Sequence, residues 1–208
     1  MNVFLDIKYT LVNNSRYLAT LAAISEDDDK FYAEFKDCVS DTNNINMQIL
    51  TNHKFKDPLE NEDDYWIHSK PHSMDMRGNK REVAIYLYDW LHELLGGPVS
   101  WVDYSEKSGG PGYRNIKPLV DDDHIDIWVD NICVKWKLFE VLWRNTDKGF
   151  PPFVHPFPYD MHSILKVNYA PCRNFSDGTY NPIGSARAMR EIYITLTERN
   201  ENERRKNI

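Results

Sequence analysis

Three apolar segments dominate the first 36 residues: "VFLDIKYT" (3–10), "YLATLAAI" (17–24) and "FYAEF" (31–35). The turn-prone "NNSR" and the polar "SEDDDK" separate them. Short apolar runs bounded by Asn, Asp and Ser read as strands, and connections this brief predict an antiparallel meander of three. A chain that opens this way is committed to a sheet, and later segments must cover it. From Lys36 to Asn79 the pattern dissolves into Asn, Asp, His and Pro around scattered anchors such as Trp66 and Ile67, so loop with short helical turns at most is expected there. "KREVAIYLYDWLHELLGG" restores helical spacing, with Val83, Leu87, Trp90, Leu91 and Leu94 on one side and Gly96-Gly97 as the stop. "VSWVDY" reads as a strand and "EKSGGPGYRN" as an exposed loop.

In the second half, "DDDHIDIWVDN" leads into a short strand with Ile125, Ile127 and Val129 pointing one way and Asp126, Trp128 and Asp130 the other. "CVKWKLFEVLW" is helical through Val134, Leu138, Phe139 and Leu142. The prolines of "KGFPPFVHPFPYD" then force an extended loop, "DMHSILKVNY" is a short helix, and "NPIGSARAMREIYITLTERNENERRKNI" is a long one with Pro182 in its first turn.

With 208 residues, 41% apolar and 27% charged, the chain has the make-up of one globular domain, expected over residues 1–200 with a charged tail at 201–208. No run approaches the roughly 18 apolar residues of a membrane helix, and the N-terminus lacks the order of a signal peptide. A cytoplasmic protein with no membrane partner is expected. Cys38, Cys133 and Cys172 are too far apart in sequence to suggest a disulfide framework or a thiolate zinc site. Net charge is −7, which argues against a broad basic face for nucleic acid and restricts any such contact to a local patch.

The element order and three motifs together resemble the RNase-T-like members of the DEDDh 3'-to-5' exonucleases. The motifs are the opening strand with the meander ending in "EDDDKFYAEF", the strand-turn-helix "VDNICVKWKLFEVLW", and the helix "YNPIGSARAMREIY". The resemblance covers nearly the whole chain and is weakest from Lys36 to Asn79. It implies an α/β, ribonuclease-H-like fold, a mixed central sheet of about five strands flanked by helices, and relatives that are often homodimers.

It also implies a chemistry. Two divalent cations would be held by four carboxylates from three elements, with a histidine as general base for the attacking water. Position by position, Asp6 matches the first carboxylate, but Lys8 stands in place of the glutamate that follows it. Lys135 replaces the aspartate leading the middle helix, Tyr180 the histidine and Ser185 the last aspartate. Among the carboxylate positions this leaves one acid against two ammoniums, a net +1. Two unit charges 4 Å apart interact by roughly 4 kcal/mol at an effective dielectric near 20, so such a pocket repels a dication. No metal cofactor is expected, and Lys8 is expected to neutralise Asp6 on the same strand face.

The expectation is therefore a catalytically degenerate exonuclease that acts by binding. Lys8, Lys135, Tyr180 and Ser185, extended by Arg187 and Arg190, are suited to hold a phosphate of a nucleotide or of a single-stranded nucleic-acid 3' end. A partner protein docking on aromatic loops such as "DDYWIHSKPH" and "GFPPFVHPFPYD" is the other binding mode. The alternative is residual metal-dependent 3'-to-5' exoribonuclease activity, with Mg or Mn held by a shifted acidic set of Asp6, Asp130 and Asp126. Plainer readings stand beside these: Asp6 as a paired structural group, Lys135 and Lys137 as the wet face of a helix, Asp121 to Asp123 as a solvated loop, and His68 and His72 as surface histidines.

Overall fold

A computed structural model describes residues 1–38, 73–96, 124–144, 146–168 and 182–206. The strand β1 (Asn2–Val12) turns back into β2 (Ser15–Ser25) and then β3 (Lys30–Phe35), forming the antiparallel meander. Asn13 and Asn14 make the first turn with φ of 48° and 62°. A two-residue hairpin needs positive φ at both central positions to match the strand twist, and asparagine tolerates it better than most residues. Next come β4 (Met74–Gly78), α1 (Lys80–Leu94), β5 (Asp126–Val129), α2 (Ile132–Trp143), β6 (Tyr159–Asp160), α3 (Met161–Val167) and α4 (Pro182–Lys206). The long final helix thus continues into the charged C-terminal stretch.

The fold is α/β, with a mixed six-stranded sheet in the order β4-β3-β2-β1-β5-β6. Strand β5 pairs parallel with β1, and β6 parallel with β5. Strand β4 pairs parallel with β3, from Phe31 opposite Met74 to Phe35 opposite Gly78. This sixth strand corrects the expectation of loop and short helical turns up to Asn79. Its sequence, "MDMRG", has no β-branched or aromatic residue to announce a strand. Pairing with β3 and burial of Met74 and Met76 make it one, a case of tertiary context overriding propensity. Directly after it, Asn79 caps α1: its side chain accepts from the Glu82 amide while Glu82 accepts from the Asn79 amide.

Strand alternation sends side chains of β1 to opposite faces. Val3, Leu5 and Ile7 pack with Trp90 and Leu91 of α1 and with Phe139 and Leu142 of α2. Phe4 belongs to a second core with Ala22 and Ile24 of β2, Met161 and Leu165 of α3, and Ala186 and Met189 of α4. Asp6 and Lys8 follow Phe4 at intervals of two, on the face that α4 covers. Among the described residues no helix is long and apolar enough to cross a membrane. The expected strand "VSWVDY", the glycine-rich loop after it, Asp121 to Asp123, Trp66, Ile67, His68, His72, Cys172 and Tyr180 lie outside the described residues.

Candidate functional site

Asp6 is fully buried at the centre of the sheet, where an ionised carboxylate must be paired to be tolerated. Two ammoniums supply the pairing. Lys8 reaches back along β1 to place Nζ 2.7 Å from Asp6 Oδ2. Lys135 forms an ion pair with Asp6 Oδ1 from the other side. Neither Asp6 oxygen has a well-aligned hydrogen bond among the described residues, so these contacts are ionic rather than directional.

The route of Lys135 to that position is set by the end of β5. Asp130 comes directly after the last strand residue, and Asn131, at φ 33°, turns the chain sharply into α2. Side chains on a helix tilt toward its N-terminus, so Lys135 in the first turns points back over the strand end. There it donates to Asp130 Oδ1 as well as pairing with Asp6. An ammonium near a helix N-terminus opposes the helix dipole, and the two carboxylates offset that cost. Burial pulls the Lys135 pKa down, but Asp6 and then Asp130 outweigh it, so the ammonium titrates above the ordinary lysine value. Lys135 is buried while Lys137 is exposed, so only the second occupies the wet face of α2.

Helix α4 closes the cluster from above. Ser185 is buried against the sheet, and its Oγ accepts a hydrogen bond of 3.4 Å from Lys8 Nζ. Beside it, Ala186 is fully buried, a small residue that lets the helix lie close to β1 and β2. The structure therefore brings Asp6, Lys8, Lys135, Asp130 and Ser185 together from β1, the β5–α2 junction and α4.

It places Arg187, Arg190 and Asp126 elsewhere. Arg187 Nε lies 3.7 Å from Asp28 Oδ1, Arg190 Nη1 lies 3.9 Å from the same oxygen, and Arg190 Nε donates to the Glu26 carbonyl at 2.8 Å. Both arginines thus serve the β2–β3 turn rather than extending a cradle. The reason is helical geometry: at about 100° per residue, Arg187 sits roughly 200° around α4 from Ser185. Asp126 is likewise remote, four residues and so about 13 Å back along the strand from Asp130, with His124 Nε2 at 3.5 Å from its Oδ1. The three-acid rescue set of Asp6, Asp130 and Asp126 does not assemble.

Charge balance differs from the expected surplus because Asp130 joins the two lysines. Asp6 and Asp130 face Lys8 and Lys135, and the cluster is neutral. This donor set does not suit a pair of divalent cations: each carboxylate already has an ammonium on it, and the two Nζ atoms cannot act as ligands while charged. Among the described residues no group of three or more His, Cys, Asp or Glu side chains is arranged to hold a metal ion. Among the described residues neither Cys38 nor Cys133 is disulfide-bonded, and burial raises the Cys38 pKa. No protein-family description matches the chain, and no characterised protein matches it in sequence.

Outside the cluster, the aromatic loop after α2 carries exposed rings. In "VHPFPYD", Phe157 is 72% exposed between two prolines, and Tyr159 is 40% exposed. Tyr159 stacks on Trp128, with ring centroids 4.8 Å apart and planes at 24°. Pro156 and Phe157 form a bend ahead of β6 that leaves the Phe157 ring outside the core.

Proposed function

We propose that this chain is a ribonuclease-H-like, exonuclease-type scaffold that has exchanged catalysis for binding, with a protein as its partner. The observation that carries the reading is the meeting of Asp6, Lys8, Lys135 and Ser185. The resemblance aligns these four with the carboxylate positions of the exonucleases, and their convergence from three separate elements supports that alignment. The sheet is compatible with it: a three-stranded antiparallel meander, two further strands parallel to β1, and helices on both faces.

Loss of catalysis results from the cluster's chemistry. Two-metal hydrolysis needs free hard oxygens, and here they are neutralised by lysine. The same neutrality disfavours a phosphate, which would have to displace Asp6 or Asp130 from ammoniums they already hold. Phe157, set between prolines and largely exposed, gives a partner protein a rigid apolar anchor at small entropic cost.

The test is degradation of 3'-labelled single-stranded RNA with manganese, beside binding of the same RNA at low salt. We expect wild type to degrade no more than Asp6→Asn does, and any binding to be unaltered by Lys8→Glu. Degradation that depends on Asp6 and Asp130 would establish the exoribonuclease instead. Salt-sensitive binding abolished by Lys8→Glu would establish a phosphate cradle.

A further inference from the structure

We propose that the Lys135 ammonium is a resident cation: it fills a two-carboxylate cation site formed by Asp6 and Asp130 and keeps that site closed to divalent metal ions. Two acids from neighbouring parallel strands reach the same nitrogen, although Asp6 lies mid-strand and Asp130 just past a strand end. A fully buried carboxylate and a partly buried one converging on one point make an arrangement that a hard cation stabilises and that like-charge repulsion otherwise opens. Asp6 sharpens the case, since both its oxygens are buried and lack a well-aligned hydrogen bond among the described residues. Only a charge can balance it there.

The two lysines differ in what they can do. Lys8 pairs with Oδ2 of Asp6 and donates to Ser185, so it neutralises one acid from the side of α4. Lys135 alone bridges the two acids among the described residues. Its side chain is 10% exposed, and it enters from the N-terminal end of α2, where the helix dipole offers an ammonium nothing. The carboxylates hold it there, and removing it leaves an oxygen-lined vacancy between them. This assignment rests on the cluster's geometry and holds whatever partner the scaffold binds.

Thermal melts and calorimetric titration with manganese chloride alone test it. Wild type is expected to melt at the same temperature in chelator and in manganese, and to show no site that depends on Asp130. Lys135→Ala is expected to melt on the order of 10 °C lower in chelator. Manganese should restore at least half of that loss, with about one ion bound per chain. Adding Asp130→Asn to Lys135→Ala should abolish the gain, which separates this site from the other acids of the chain. Lys135→Gln keeps the side chain's bulk without its charge and serves if the alanine variant does not fold; manganese should raise its melting point too. The proposal is overturned if manganese raises the wild-type melting point through Asp6, if neither Lys135 variant responds to the metal, or if the response survives Asp130→Asn.

Discussion

The two faces of the central sheet each bury an apolar core, but the one under α4 also buries the charge of Asp6. On the face under α1 and α2, Val3, Leu5 and Ile7 meet Trp90, Leu91, Phe139 and Leu142, and ring contacts such as Phe31 to Trp90 at 5.8 Å fill the space. On the face under α4, the same strand contributes Phe4 and then Asp6 and Lys8, and the packing gives way to an ion-pair cluster. An apolar face is forgiving in kind and exacting in volume, because each contact is small and non-directional. A buried charge cluster is the reverse: loss of one member strands the others, whereas joint removal of oppositely charged members can cost little.

That contrast predicts different responses to mutation. Trp90→Ala on the apolar face should cost about 3–5 kcal/mol by denaturant melts, through lost transfer energy and the cavity left behind. On the charged face, Asp6→Asn should cost a similar amount, about 3–5 kcal/mol, because the buried Lys135 and the partly buried Lys8 lose their shared partner. The double variant Asp6→Leu plus Lys135→Met removes the two most buried charges and leaves Lys8 and Asp130, each 17% exposed and reached by water, so it should cost less than Asp6→Asn. A double variant costing as much as the sum of its single changes would show the cluster to be ordinary packing.

Proton linkage should separate the faces next. His92 packs on Tyr88 and Phe153 beside the apolar core, with ring centroids 6.4 and 5.4 Å apart, and burial holds its pKa below the ordinary 6.5. Its neutral form is favoured in the folded state. The associated stability is present above about pH 6.5 and is lost as the pH falls through the lowered folded value. Lys135 has the opposite sign: its folded pKa is raised above 10.5, so its contribution is complete below that pH and is lost as the pH rises through the folded value. Melting temperature against pH should therefore lose its acid-side fall in part with His92→Gln, and its alkaline-side fall in part with Lys135→Met. A swap of these effects would contradict both environments.

The smallest effect belongs to neither face. Arg187 and Asp28, 3.7 Å apart with side chains 49% and 38% exposed, form a surface pair, and Arg187→Ala should change stability by about 0.5 kcal/mol or less.

Much of the architecture could be read from residues alone, because local pattern carries it. The alternation in "VFLDIKYT" and "YLATLAAI", the spacing of Val83, Leu87 and Trp90, and the prolines around Phe157 are each set within a few residues of themselves. Strand β4 escaped because "MDMRG" becomes a strand only by lying beside β3. The candidate site divides the same way. Lys8 could be set against Asp6 because strand neighbours two apart share a face, and Lys135 because a motif placed it at the head of a helix. The bridging role of Asp130 and the turning away of Arg187 and Arg190 depend on the sharp bend at Asn131 and on the rotation of α4. Neither is written in the spacing of charged residues.

The parallel seating of β5 against β1 has a consequence in time. The β1–β2 hairpin closes over a two-residue turn, so Asp6 and Lys8 can pair within a unit that needs nothing from the rest of the chain. Lys135 arrives only when a segment more than a hundred residues distant adds to the hairpin's free edge, a slow step for a chain that must close so long a loop. Until then Asp6 holds one ammonium instead of two. The moment β5 docks is thus also the moment the buried carboxylate acquires its second counter-charge, and sheet completion and charge compensation become a single event.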